Sequence, residues 1–504
     1  MTAVNTGVLT MFAHMFRVSI GSIIITTLAA CLVVIGCSDL QGPHAGGTGS
    51  THSVLAGKAG LKGPLDTELL RALTESSQGE GPTYFMLPRS DELHKIPQDP
   101  HNPLTVKKVQ LGKLLYHETA LGVSNVRPEG RGTYGCASCH FAQAGFMANV
   151  PQGIAEGGSG FGLAGEGRTF LAQYDSPAGY PDCQPIRTPS VLNTAYQELM
   201  LWNGQFGGIG DNLGTESKWT PGTPLESNFL GLSGLETQAH GGLLAHRMVD
   251  VGLSRINGIP RYRQTFRNAF QSDLDPINRL NVALAIAAFE RTVLAHEAPF
   301  QKWLRGNKTA MSDSQKRGGI LFFGKAGCVS CHTGPALSSM TFYALGMNDL
   351  DGAYDLTRVN LAPFGGTIPD DKRKGRGGFT GRSDDEYKFK TPQLYNLIDS
   401  PFYGHGASFA TVREVVEYKK SAIPQNARVP IERLSPQFRS LDLTLQEVDD
   451  LVNFLEGALY DDRLSRYLPG ALPSGNCFPV NDTQAQLDLD CRPHRAPNVR
   501  PPQS

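Results

Sequence analysis

Helical periodicity dominates the ordered part of the chain. Two runs, VQLGKLLYHETAL (109–121) and SQKRGGILFFGKAG (314–327), put apolar residues at helix-like spacing. Residues 278–305 carry a long apolar stripe, and EVDDLVNFLEGAL is amphipathic. Two helix starts are marked by capping boxes, Ser312 with Gln315 and Thr444 with Glu447. Alternating apolar and polar positions of the strand type are scarce, so the pattern predicts a mainly α protein. It also repeats. Thr188-Pro189-Ser190-Val191-Leu192-Asn193 recurs as Thr391-Pro392-Gln393-Leu394-Tyr395-Asn396, and self-similarity of this kind means two copies of one unit. The expected boundaries are 64–306 and 307–466, with a Pro-rich tail over 467–504.

The first 63 residues obey a different pattern. Residues 18–36 (VSIGSIIITTLAACLVVIG) hold no charge, and Arg17 is the only ionic residue before them. This reads as a secretory signal over 1–36, with Met15 an alternative start. The run closes on Val34-Ile35-Gly36-Cys37, which resembles a lipoprotein box and makes Cys37 the lipidation candidate. An uncleaved anchor helix is the rival reading, since the run can span about 30 Å of hydrocarbon; soluble export is a third. Each places the rest of the chain outside the cytoplasm. Residues 37–63 are rich in Gly, Ser and Thr and read as a flexible tether. The expected contact with a membrane is through the lipid anchor only.

Composition narrows the chemistry. The 46 Lys and Arg balance 47 Asp and Glu for a formal charge of -1, which excludes the basic excess of a nucleic-acid binder. Nine cysteines are an odd number for a disulfide framework. Four of them stand in Cys136-Ala137-Ser138-Cys139-His140 and Cys328-Val329-Ser330-Cys331-His332. C-x-x-C-H is the spacing at which two thiols add to haem vinyl groups while the adjacent histidine ligates the iron. A zinc site would need a second Cys/His pair at short spacing, and neither motif has one. The chain is therefore expected to hold two c-type haems, bound covalently by Cys136, Cys139, Cys328 and Cys331 and axially by His140 and His332. The fold class follows as two cytochrome c-like domains in tandem, joined by long Gly/Pro-rich loops. With Cys31 leaving in the signal and Cys37 taking lipid, Cys183, Cys477 and Cys491 remain, and Cys477–Cys491 would close a short loop outside the cytoplasm, with Cys183 left over or the partner of one of them.

Residues 100–460 resemble the bacterial di-haem cytochrome c peroxidase and MauG family. The resemblance implies hydrogen peroxide reduced at the first haem, with electrons entering from a small cytochrome c or cupredoxin through the second. It implies a tryptophan between the haems: the family's W-D-G-R segment appears as Trp202-Asn203-Gly204-Gln205, and Trp202 takes the bridging place. Glu236-Thr237-Gln238-Ala239 is similar to the distal-pocket segment, with Gln238 in the glutamine position. Two other activities belong to the same resemblance: MauG-like oxidation of a protein or organic substrate, and electron transfer without catalysis.

Several positions depart from the family. Ten residues after Gln238, where a distal glutamate is expected, stands Met248, and one residue of slippage gives Arg247; neither is a carboxylate. His240 and His246 lie in the same segment as candidate acid/base groups, since imidazole titrates near neutral pH; either could instead ligate the iron or face solvent. Sixteen residues after His140 stands Glu156 in place of a histidine, which favours an open first iron. On the second haem the sixth-ligand candidates are Tyr418, Lys419 and His405. Successive helical residues point about 100° apart, so Tyr418 and Lys419 cannot both face the iron. Calcium between the haems is a family feature, but Arg187 replaces the contributing Asn and a guanidinium disfavours a cation. Two insertions, 153–185 and 207–233, can line or lid the first haem pocket. The charged run 370–386 reads as a solvated loop, with a docking edge for an electron carrier as the sharper alternative.

Overall fold

Two helix pairs, each crossing on a glycine, carry the architecture. The computed structural model describes residues 63–123, 126–249 and 251–491; the signal, Cys37, the tether up to residue 62 and residues 492–504 lie outside the described residues. The first half contains α1 (Pro64–Ser76), α2 (Val106–His117), α3 (Gly234–Ala245), α4 (Val251–Gly258), α5 (Pro260–Ala269), α6 (Arg279–Arg291) and α7 (Pro299–Leu304). The second contains α8 (Asp313–Phe323), α9 (Asp370–Arg373), α10 (Arg376–Thr380), α11 (Val412–Ser421), α12 (Leu445–Asn453) and α13 (Thr483–Asp488). Among the described residues strand is confined to two short antiparallel pairs, β1 (Gly158–Ser159) with β2 (Thr169–Phe170) and β3 (Phe342–Tyr343) with β4 (Phe389–Lys390). Among the described residues no helix is long and apolar enough to cross a membrane.

The repeat seen in the sequence is physical. α2 packs on α6 and α8 packs on α12. A Cβ on Gly112 would sit 1.7 Å from the Ala285 carbonyl oxygen, and one on Gly318 would sit 1.9 Å from that of Asp450. Only glycine permits either crossing. Phe289 and Phe454 fill the same place beside the two glycines. The repeated hexapeptides also match: Asn193 and Asn396 both adopt a left-handed backbone, with φ of 62° and 56°, as Asn tolerates better than most residues. The Asn193 side-chain oxygen accepts from Ala295 N–H at 2.9 Å, and that of Asn396 accepts from Asp461 N–H at 3.1 Å.

Those asparagines explain a difference from the sequence pattern. Residues 278–305 form two helices, α6 and α7, with an extended break at 292–298. Asn193 N–H donates to the Val293 carbonyl at 2.8 Å and so holds the break open, and Pro299 restarts the helix at its first turn. Both expected capping boxes form, at Ser312/Gln315 and Thr444/Glu447.

The two halves are laced by the chain ends. α1 packs on α8, where Asp66 accepts from Trp303 Nε1 at 2.7 Å and pairs with Lys316 at 2.9 Å. The tail returns to the first half: Cys477 and Cys491 are disulfide-bonded, and Cys183 is left over as a buried free thiol. Phe141, Phe161, Val480, Ala485 and Leu489 form a small core of their own there. Arg168 bonds Asp482 at 3.1 Å, and Asp488 accepts from Phe161 and Gly162 N–H. The charged run 370–386 corrects an expectation, because it is not simply a solvated loop. It forms α9 and α10 and buries Arg376, which donates to the Asn203, Gly204 and Asp211 carbonyls and to Asn212 Oδ1. Gly377 and Gly378 let the backbone close against Glu386 and Asp371, which brings that arginine inward.

Candidate functional site

Each C-x-x-C-H motif opens as a single 3₁₀ turn, Cys136–Ser138 downstream of α2 and Cys328–Ser330 just after α8. This geometry presents both thiols and the imidazole from one tight turn. In the second motif His332 Nδ1 donates to the carbonyls of Leu337 and Pro392, at 3.2 and 3.0 Å. Carbonyl oxygens only accept, so Nδ1 carries the hydrogen and the Nε2 lone pair is left free for a metal. Cys328, Cys331 and His332 line a cavity of about 320 Å³ whose other walls include Phe322, Val412 and Leu443. Thiols, a free imidazole lone pair and an apolar cavity are what a covalently held haem requires.

The first motif is built alike. Tyr116 hydroxyl donates to the His140 carbonyl at 2.6 Å, Ser138 hydroxyl to that of Pro479 at 2.8 Å. Burial pushes His140 down to about 4, against the opposing influence of the Phe146 and Pro189 backbone; those two positions correspond to Leu337 and Pro392 around His332. His140 Nδ1 is buried without a hydrogen bond. A neutral imidazole suits iron ligation.

The distal candidates separate. Gln238 and His246 lie on one side of α3 and its C-cap, two turns apart, while His240 falls near the opposite side. His240 Nδ1 bonds Ser227 Oγ at 2.8 Å, and its carbonyl accepts from Arg279. Burial, and then Arg279, push it down to about 4. His246 Nδ1 donates to the Asp182 carboxylate at 2.9 Å, which leaves Nε2 as its free ring nitrogen. Burial would lower its pKa, but Asp182 outweighs that and holds it above the ordinary histidine value. The charge of His246 reaches His140 and depresses it, whereas His240 has no such influence there.

Asp182 carries no sequence motif: it sits in the 153–185 insertion, 64 residues from His246, and only the packing of that insertion brings the two together. Glu156 is a buried anchor, accepting from Val126 and Arg127 N–H at 2.9 and 3.1 Å and pairing with Arg247. The insertion therefore does pack against the C-terminal end of α3. Residues 207–233 pack against α3 as well, with Trp219 buried on Phe229.

Between the motifs, Trp202 Nε1 donates to the Arg187 carbonyl at 2.8 Å and the indole lines the second cavity. His405 meets it edge-on at 6.3 Å and stacks on Phe389 at 3.6 Å. His405 Nε2 is committed to Asp349 Oδ1 at 3.3 Å. Tyr418 does not line the cavity: its hydroxyl donates to the Leu345 carbonyl at 2.5 Å, and its ring packs on Phe409 and Phe438. Lys419 does line it, and burial lowers its pKa against the influence of Cys331 and Cys328. Lys390 is a second buried amine on the same wall, pushed down to about 7 by burial. No group of three or more His, Cys, Asp and Glu that could hold a metal ion occurs among the described residues.

A fold of two helical units, each with a haem-attachment turn, defines a di-haem c-type cytochrome. Residues 106–309 match the family model of di-haem cytochrome c peroxidases. A cytochrome-c peroxidase of Denitromonas iodatirespirans is 30% identical over 396 residues, 76% of this chain and 89% of that one. The methylamine utilization protein MauG of Methylorubrum extorquens is 29% identical over 361 residues, covering 72% and 80%. A crystal structure of a MauG-like protein associated with microbial copper homeostasis shares the fold, with a TM-score of 0.53 and 24% identity over 75% of this chain and 95% of that one. The chain belongs to the di-haem cytochrome c peroxidase family: it is a peroxidase-like oxidoreductase with two c-type haems.

Proposed function

We propose that the protein reduces hydrogen peroxide to water outside the cytoplasm, drawing two electrons and two protons per peroxide from a small redox protein and solvent. When bound, the haem on Cys136, Cys139 and His140 supplies the peroxide-reducing iron, and the one on Cys328, Cys331 and His332 supplies the entry point for electrons. Trp202 supports this reading, because it lines the cavity of the second attachment turn and both its indole and its backbone are tied to neighbouring segments. Its Nε1–H is tied to Arg187 and its carbonyl accepts from Lys390 N–H. A rigid indole there is an electron relay, as the family resemblance implies.

His246 is the distal acid/base group in this reading. With Nδ1 fixed on Asp182, Nε2 is the ring nitrogen open to peroxide, and the protonated imidazole that Asp182 favours donates from it to the far oxygen as the O–O bond breaks, solvent restoring the proton. Gln238, on the same side of α3, orients the oxidant; His240, tied to Ser227, is outside the reaction. Lys419 is the sixth ligand of the second haem, since it lines the cavity with a weakened hold on its proton, while Tyr418 and His405 spend their polar atoms on Leu345 and Asp349. Calcium has no place beside the buried Arg187. The two units run over 64–306 and 307–466, and a lipid on Cys37 holds the protein at a membrane.

The test mixes holoprotein, peroxide and a reduced small cytochrome c or cupredoxin, following donor absorbance. Two donor molecules oxidised per peroxide is the expected result. If peroxide leaves the ferric spectrum unchanged and no donor is oxidised, the peroxidase reading fails and an electron-transfer cytochrome remains.

A further inference from the structure

The wall of the cavity at the second attachment turn holds a positive charge without a counter-charge. Arg187 is 5% exposed. Its Nη2 donates to Ser400 Oγ at 2.8 Å and its Nη1 to the Met147 sulfur at 3.4 Å, while Nε is buried with no acceptor. No ion pair to a carboxylate forms at Arg187 among the described residues. Other buried arginines are provided for differently: Arg168 has Asp482, Arg291 has Glu236, and Arg376 has four oxygen acceptors. Taking an ion out of water without a partner is strongly unfavourable. Burial lowers the Arg187 pKa to about 10, which still leaves it charged at neutral pH.

The backbone around this guanidinium is clamped on both sides. Arg187 N–H donates to the His405 carbonyl at 2.9 Å, and the Arg187 carbonyl accepts from Trp202. The side chain is thus held at the wall of the second cavity, in contact with Met147 seven residues past His140. An anion must enter with the ligand. The groups a haem brings that are anionic at neutral pH are its propionates, and a planar guanidinium is the side chain that best matches a carboxylate.

We propose that Arg187 is the propionate-binding residue of the second haem, pairing its guanidinium with a carboxylate of the haem carried by Cys328 and Cys331. A cation fixed beside the propionate offsets its negative charge at the iron, so Arg187 raises the reduction potential of that haem. The proposal rests on haem occupancy and not on peroxide chemistry, so either can fail without the other.

The test is a spectroelectrochemical titration of holoprotein carrying R187Q or R187K, together with resonance Raman of the propionate bending band. R187Q is expected to lower the midpoint potential of the second haem and shift that band. R187K, which keeps the charge and loses the fork, is expected to hold the potential near the unmodified value while still shifting the band. A second-haem potential and propionate band unchanged in R187Q would overturn the proposal, as would a shift confined to the first haem. If R187Q does not retain haem, the band in R187K decides alone: unchanged, it overturns the assignment; shifted, it supports it.

Discussion

At the scale of single residues, the two histidines of the α3 segment differ in what holds them: Asp182 holds His246 and Ser227 holds His240. His240 and His246 were equivalent in sequence, and only the Ser227 and Asp182 contacts separate them. H246Q is accordingly expected to lower peroxide turnover roughly 100- to 10,000-fold, the usual worth of a positioned acid/base group. D182N should lose part of that and H240Q almost none, in steady-state assays with a saturating donor. The sixth ligand divides in the same way. K419A should turn the second ferric haem from low-spin to high-spin in the EPR spectrum, and Y418F should not, because the tyrosine hydroxyl is held by Leu345.

At the scale of elements, the helices formed where periodicity and capping said, and breaks appeared where a distant side chain claimed the backbone. The interruption at 292–298 is set by Asn193, which no pattern within 278–305 can announce. Gly112 and Gly318 are the tightest points of the two crossings. G112A and G318A should each destabilise the fold by roughly 1–3 kcal/mol or more through overpacking, since the obstacle is a backbone carbonyl and cannot turn aside. Thermal unfolding with matched haem content checks this. The run 370–386 teaches the complementary point: charge density suggested solvent, yet Arg376 finds enough backbone acceptors to be buried.

At the scale of the whole molecule, the ends hold the halves together. Removing the Cys477–Cys491 link with C477S/C491S should cost about 3 kcal/mol for a loop of this size in the chain-entropy model, read as a lower unfolding midpoint. The tail also covers His117, whose ring meets Phe478 at 5.5 Å and Phe289 at 5.9 Å. Burial pushes His117 from an ordinary 6.5 down to about 3. The unfolded chain then binds more protons between those values, so this contribution to stability is complete above pH 6.5 and is lost as pH falls toward 3. H117Q should flatten part of that acid loss, seen by comparing unfolding midpoints of both proteins between pH 7 and 5.

Helical class, twofold repeat, the two haem attachments and the family are all readable along the chain, because each is written in residues close together or in a pattern repeated along it. Which histidine is paired with Asp182, which of Tyr418 and Lys419 lines the cavity, and the burial of Arg187 without a counter-ion emerge only on folding. Those outcomes depend on which groups from segments dozens to hundreds of residues apart come within hydrogen-bond reach, and burial, which sets the worth of a charge, exists only once those segments have packed.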